Sequence, residues 1–154
     1  MFISVILIGQ SRKRTMALPP QKFREMIFQI LFCSDFPDPE IEETSLMLMG
    51  ELKVTKKSVL QANERVLQIN ENLESIDAKI TAFSTEYSFE RISRAEKTIL
   101  RLCLYELLFD PSIPPLVVIA EAVRLTRKFG TPESSHFVNA ILDRAYKENG
   151  ASVC

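Results

Sequence analysis

Of the side chains able to do covalent or acid–base chemistry, His136 and the cysteines Cys33, Cys103 and Cys154 come first. His136 could serve Cys103 as the base of a thiol couple. Cys103, however, stands four residues after Ile99 and four before Leu107, the spacing of a buried helix face, and no nucleophile signature surrounds it. A lone histidine and widely spaced cysteines do not assemble a zinc site or a disulfide framework. Glu40, Glu42 and Glu43 lack the Asp/Asn alternation and the glycine of a calcium loop, and read as a solvated acidic turn. With no G-x-G-x-x-G, nucleophile elbow or H-E-x-x-H, the sequence predicts no enzyme, no cofactor and no metal. The chemistry that remains is recognition. Lys22, Arg24, Gln29 and Phe32 would combine cations for phosphates with a planar ring for an unstacked base, although the same residues also suit a solvated helix face.

Those residues need helices to position them, and the dominant period of the chain is helical. Pro19 and Pro20 open a first helix whose apolar stripe is Phe23, Met26, Ile27, Ile30 and Leu31, which leaves Lys22, Arg24 and Gln29 off that face. Pro37 and Pro39 form a turn into a second helix with Leu46, Met49 and Leu52 inside. From Val59 through Ala62, Val66, Ile69, Leu73, Ile76 and Ile80 to Phe83 runs a seam spaced by threes and fours. Asn70 and Asn72 could break it, and a homodimer through it stays open. Phe89 to Phe109 is a strongly apolar helix, Pro114-Pro115 opens another that closes at Gly130, and Thr131-Pro132 starts the last, with its stripe of Phe137, Val138, Ile141, Leu142 and Ala145. The expected fold is all-α, a compact bundle of six to seven helices in two helical halves.

At 154 residues, 46% of them hydrophobic, the chain supports one domain. Its formal net charge of -1 excludes a globally basic nucleic-acid binder, but charge is segregated. Arg12, Lys13, Arg14, Lys22 and Arg24 face Glu25 alone up to Phe32, whereas Cys33 to Glu51 carries six acids and no cation. The opening apolar run of about eight residues is too short to span a bilayer and precedes its basic cluster, the wrong order for a secretory signal. We expect residues 1–15 to be an N-terminal extension with Met16 as the start, residues 16–149 to form the helical domain, and residues 150–154 to be a tail. Cysteine usage suits a reducing cytoplasm.

Three stretches carry a resemblance. Glu96-Lys97-Thr98-Ile99-Leu100-Arg101 followed by Tyr105-Glu106-Leu107 resembles the E-K-x-[IV]-L-R-x-x-x-Y-E-L signature of the NusB transcription antitermination family. Val118-Ile119-Ala120-Glu121-Ala122 with Phe129-Gly130 is similar to the family's V-x-I-N-E-A and F-G, and Phe137-Val138-Asn139-Ala140-Ile141-Leu142-Asp143 to its F-V-N-G-[VI]-L-D. Arg24-Glu25 and Gln29-Ile30-Leu31-Phe32 resemble R-E-x-A-x-Q-x-L-[YF], so the likeness runs from about Lys22 to Tyr146.

The resemblance implies a non-enzymatic helical protein that binds the boxA element of leader RNA of ribosomal-RNA operons. It would do so with the small-subunit ribosomal protein that serves as NusE, within an RNA polymerase antitermination complex containing other Nus factors. It implies RNA contact at Lys22, Arg24, Gln29 and Phe32, with Lys97 and Arg101 as further contacts, and docking of the ribosomal protein at Glu96, Glu133 and Phe137. The chain departs from the family where a dense arginine run is replaced by Leu18-Pro19-Pro20-Gln21-Lys22-Phe23-Arg24, and at Ala120 and Ala140. Fewer cations imply weaker binding with a shallower salt dependence. A protein adaptor with little RNA binding, and the NusB-like accessory domain of a ribosomal-RNA methyltransferase, are the alternatives.

Overall fold

Periodicity becomes architecture in a computed structural model that describes residues 18–34, 50 and 54–153, with the side chains of residues 151–153 left aside. The expected helix around Leu46, Met49 and Leu52 lies outside the described residues. The described elements are α1 (Pro20–Ser34), α2 (Lys56–Glu71), α3 (Leu73–Phe83), a 3-10 turn (Phe89–Arg91), α4 (Arg94–Phe109), α5 (Pro115–Phe129) and α6 (Pro132–Val153). Among the described residues there is no strand, and no helix is long and apolar enough to cross a membrane. α4 is the hub, packing against all five other described helices. Its Ile99, Leu100, Leu102, Cys103 and Leu104 are fully buried.

The seam between Val59 and Phe83 is two helices. Asn72 ends α2, its backbone N–H donating to Ile69 O at 3.0 Å and its side-chain amide to Gln68 O at 2.9 Å. Val59, Ala62, Val66, Ile69, Ile76 and Ile80 are all buried within the chain, and Leu73 and Phe83 are half-buried, so most of the seam is used in the chain's own core. The apolar helix expected from Phe89 begins only at Arg94. Ser93 and Glu96 form a reciprocal cap there, Ser93 Oγ accepting from Glu96 N at 3.2 Å and Glu96 Oε2 from Ser93 N at 3.0 Å. Ile92 is extended ahead of that cap, which leaves Phe89 to Arg91 as a separate turn.

Gly130 does close α5, though not in the left-handed conformation that usually favours glycine at a helix end; its φ is -113°. Its value lies in room. A Cβ at this position would meet Thr126 O at 3.0 Å and Ser134 Cβ at 3.2 Å, because Thr131 caps α6 immediately afterwards and turns the chain back on itself. Gly130→Ala should therefore lower stability by about 1–3 kcal/mol, read as a fall in the urea midpoint with helicity unchanged.

Candidate nucleic-acid and partner interface

α1 presents the first group of predicted contacts, and it does not present them alike. Lys22 is exposed, Gln29 and Phe32 are half-buried, and Arg24 is only 5% exposed. The expectation that Arg24 projects from the helix is corrected by its register. It precedes Ile27, Phe28 and Leu31 by three, four and seven residues, which places it on the buried face. A guanidinium there must be paired, and it is. Its Nε lies 3.0 Å from both oxygens of Glu106 on α4, and its Nη1 lies 3.2 Å from Glu121 on α5.

The pairing continues outward as alternating charge. Glu121 accepts from Arg124 Nε at 2.9 Å, and Glu25 accepts from Arg124 Nη1 and from Lys128 Nζ, each at 2.6 Å. Three acids and three bases thus join α1 to α4 and α5, and among the described residues no buried side-chain polar atom lacks a hydrogen bond. The two ends differ in electrostatic character. Burial pushes the Glu106 carboxyl above its ordinary value against the pull of Arg24. At Glu25 burial acts in the same sense but is overridden by the hydrogen bonds from Lys128 and Arg124, which hold the carboxyl below its ordinary value.

Phe32 is held in an aromatic stack. Its ring lies 5.7 Å from that of Phe28, which in turn lies 4.2 Å from Phe129 on α5. The Arg94 guanidinium sits 5.7 Å over Phe32 and the Lys128 ammonium 5.7 Å over Phe129, so a cation caps each end. From Arg94 a stripe continues along α4 through Lys97 and Arg101, spaced i, i+3 and i+7. The structure therefore brings Phe32, Lys97 and Arg101 to one connected edge. Lys22 stands ten residues from Phe32 along α1, roughly 15 Å by helical rise.

Glu96, Glu133 and Phe137 come together. All three line a cleft of about 310 Å³ with Tyr87, Arg91 and Arg144. Phe137 is half-buried and edge-on to Tyr87, with ring centroids 5.4 Å apart. Glu133 is exposed in the first turn of α6, where its charge complements the helix N-terminus. Glu96 is more committed. Besides capping α4, it accepts from Ser134 Oγ at 2.8 Å and so ties α4 to α6. His136 is exposed at the same cleft whereas Cys103 is sealed in the core, its thiol pushed up by burial, and the two form no couple. Glu40, Glu42 and Glu43 lie outside the described residues.

The sequence profile of the NusB family matches residues 21–147. The chain belongs to the NusB family. It is 38% identical over 128 residues to the transcription antitermination protein NusB of Pseudothermotoga lettingae, covering 82% of this chain and 89% of the relative. Among solved structures, NusB of T. maritima superposes with a TM-score of 0.75 at 35% identity, covering 86% of this chain and 94% of that one. A structure of the antitermination factors NusB and NusE in complex with dsRNA superposes with a TM-score of 0.70 at 26% identity, covering 83% and 96%. The fold of the chain is that of these NusB structures.

Against that NusB background, sequence reading missed Arg94, Lys128, Phe28 and Phe129, the partners that fix Phe32. The stripe Arg94-Lys97-Arg101 was readable from spacing alone, but the contribution of α5 was not. Arg24→Met should cost about 3–5 kcal/mol in urea unfolding, because it strands Glu106 in the core, and adding Glu106→Leu should recover a large part of that loss. Glu25 gives a pH test with a definite sign. A carboxyl held low contributes stability that is present above its ordinary value of 4.5 and lost as pH falls through its folded value. Between pH 7 and pH 4 the wild-type urea midpoint should therefore fall further than that of Glu25→Gln.

Proposed function

We propose that this chain is a transcription antitermination factor that binds boxA-type leader RNA of ribosomal-RNA operons together with the ribosomal protein NusE. It acts within a cytoplasmic RNA polymerase complex that includes other Nus factors, and has no enzymatic role. The likeness to a NusB solved with NusE and dsRNA carries this reading. The surface of the chain supports it with two different chemistries. One edge joins Phe32 to the cations of α4, and a separate cleft sets Phe137 and Tyr87 among charged groups.

In this reading Lys22, Gln29, Phe32 and Lys97 meet RNA, while Arg24 acts from the core by fixing where α1 lies. Cations take phosphates and Phe32 takes an unstacked base, a contact worth about 1–3 kcal/mol when lost. Glu133 and Phe137 receive NusE, with Glu96 holding the cleft in shape. The withdrawal of Arg24 from the surface favours a second reading, a protein adaptor in which RNA affinity comes mainly from the partner.

Anisotropy of a labelled boxA-type RNA and a scrambled control, with and without NusE across a salt series, separates the two. Antitermination predicts preferential binding that strengthens with NusE and weakens in Lys22→Ala. Absence of sequence preference in both conditions, with NusE binding intact, establishes the adaptor instead. Phe137→Asp should abolish NusE capture while its circular dichroism matches wild type; loss of helicity would place Phe137 among the packing residues.

A further inference from the structure

The cations of the α4 stripe are not equivalent. Arg101 is spent on the fold, its Nε and Nη2 each 2.9 Å from an oxygen of Asp77 on α3, with 14% of its side chain exposed. Lys97 is spent on no carboxylate among the described residues; its ammonium rests 4.5 Å from the centroid of the Phe89 ring. Arg101 touches the same ring from 5.9 Å. Phe89 reaches this place because the Ser93 cap starts α4 late, which frees residues 89–91 to fold as a turn and lay the ring beside the helix that follows.

A lysine on a solvated helix samples many rotamers, and holding it still for a phosphate costs entropy. A ring face that attracts the ammonium reduces that cost before the ligand arrives. Because the attraction spends no carboxylate, the full positive charge stays available to an anion. Asp77 completes the device by clamping Arg101, which keeps α3 and the ring side of α4 in register.

We propose that Phe89 is a positioning residue for nucleic-acid binding, holding Lys97 ready for an RNA phosphate, while Arg101 serves as a strut to Asp77. This rests on the RNA-binding reading above and assigns its phosphate contact on α4 to Lys97.

The test is a double-mutant cycle in the full chain with labelled boxA-type RNA, with and without NusE. Phe89→Leu should weaken binding about two- to fivefold, the range of an exposed cation–π contact. Lys97→Met should lower the slope of log affinity against log salt by about 0.7. In the Lys97→Met background Phe89→Leu should then change nothing further, Phe89→Tyr should bind as wild type, and NusE affinity should be unchanged throughout. Phe89→Met, unbranched, adaptable in packing and without a ring, replaces Phe89→Leu in the cycle if the latter loses helicity. An effect of Phe89→Leu that persists undiminished in Lys97→Met, or no effect in either background, overturns the proposal while wild-type binding keeps the RNA reading intact. Failure of wild type to bind RNA under every condition overturns that reading, and this proposal falls with it.

Discussion

A guanidinium in the core, held between carboxylates from two other helices, decides where the first helix lies. Arg24 reaches Glu106 on α4 and Glu121 on α5 at once, and Phe32 meets Arg94 at the other end of the same helix pair. Those two contacts make α1 antiparallel to α4. A slide of one turn would leave Glu106 buried without its cation, a state several kcal/mol higher, while Glu121 would keep only Arg124 of its own helix; apolar packing alone tolerates such slips far better. The network therefore contributes less as net stability than as register. It selects one docking of α1 from several that would bury Met26 and Ile27 equally well.

Everything proposed for recognition is downstream of that register. With α1 placed, Phe28 can enter the stack with Phe129, and Phe32 arrives beneath Arg94 at the start of the α4 stripe. The next turn of α4 carries both Glu96 and Lys97. Glu96 closes the Ser93 cap and binds Ser134 of α6, which shapes the cleft holding Phe137, while its neighbour Lys97 faces the Phe89 ring. The late start of α4 thus serves two surfaces through one backbone feature. Without the cap, residues 89–91 would be drawn into the helix and Phe89 would lose its place under the ammonium.

Much of this was legible in the sequence, and the boundary follows from physics. Stripes such as Met26, Ile27, Ile30 and Leu31, or Val138, Ile141 and Leu142, depend on burial that repeats along one helix, and all are buried. Thr131-Pro132 is a local capping pattern and appears where expected, whereas Ser93-x-x-Glu96, equally local, was passed over in favour of a longer helix. Arg24 was misplaced because charge was given more weight than register. The carboxylates that make its burial tolerable are 82 and 97 residues away, beyond any local pattern. Glu96, Glu133 and Phe137 were grouped through family likeness, and the fold gathers them around one cleft. Phe89 was read as helix, since its apolar character suited continuation and only the strength of the Ser93 cap argues otherwise.

The burial of Arg24 also changes the electrostatic account of binding. Three acids of the network are matched by three bases, so Arg24, Arg124 and Lys128 bring little net charge to the surface. Arg101 is matched by Asp77 in the same way. Among the described residues proposed to meet RNA, the cations with no carboxylate partner are Lys22 on α1 and Lys97 on α4. On the proposed reading, the share of RNA affinity that these two cations supply is modest and its dependence on salt shallow. Few charges held in fixed places favour discrimination by shape and stacking over attraction at a distance, which suits the proposed role, in which RNA is offered together with a partner.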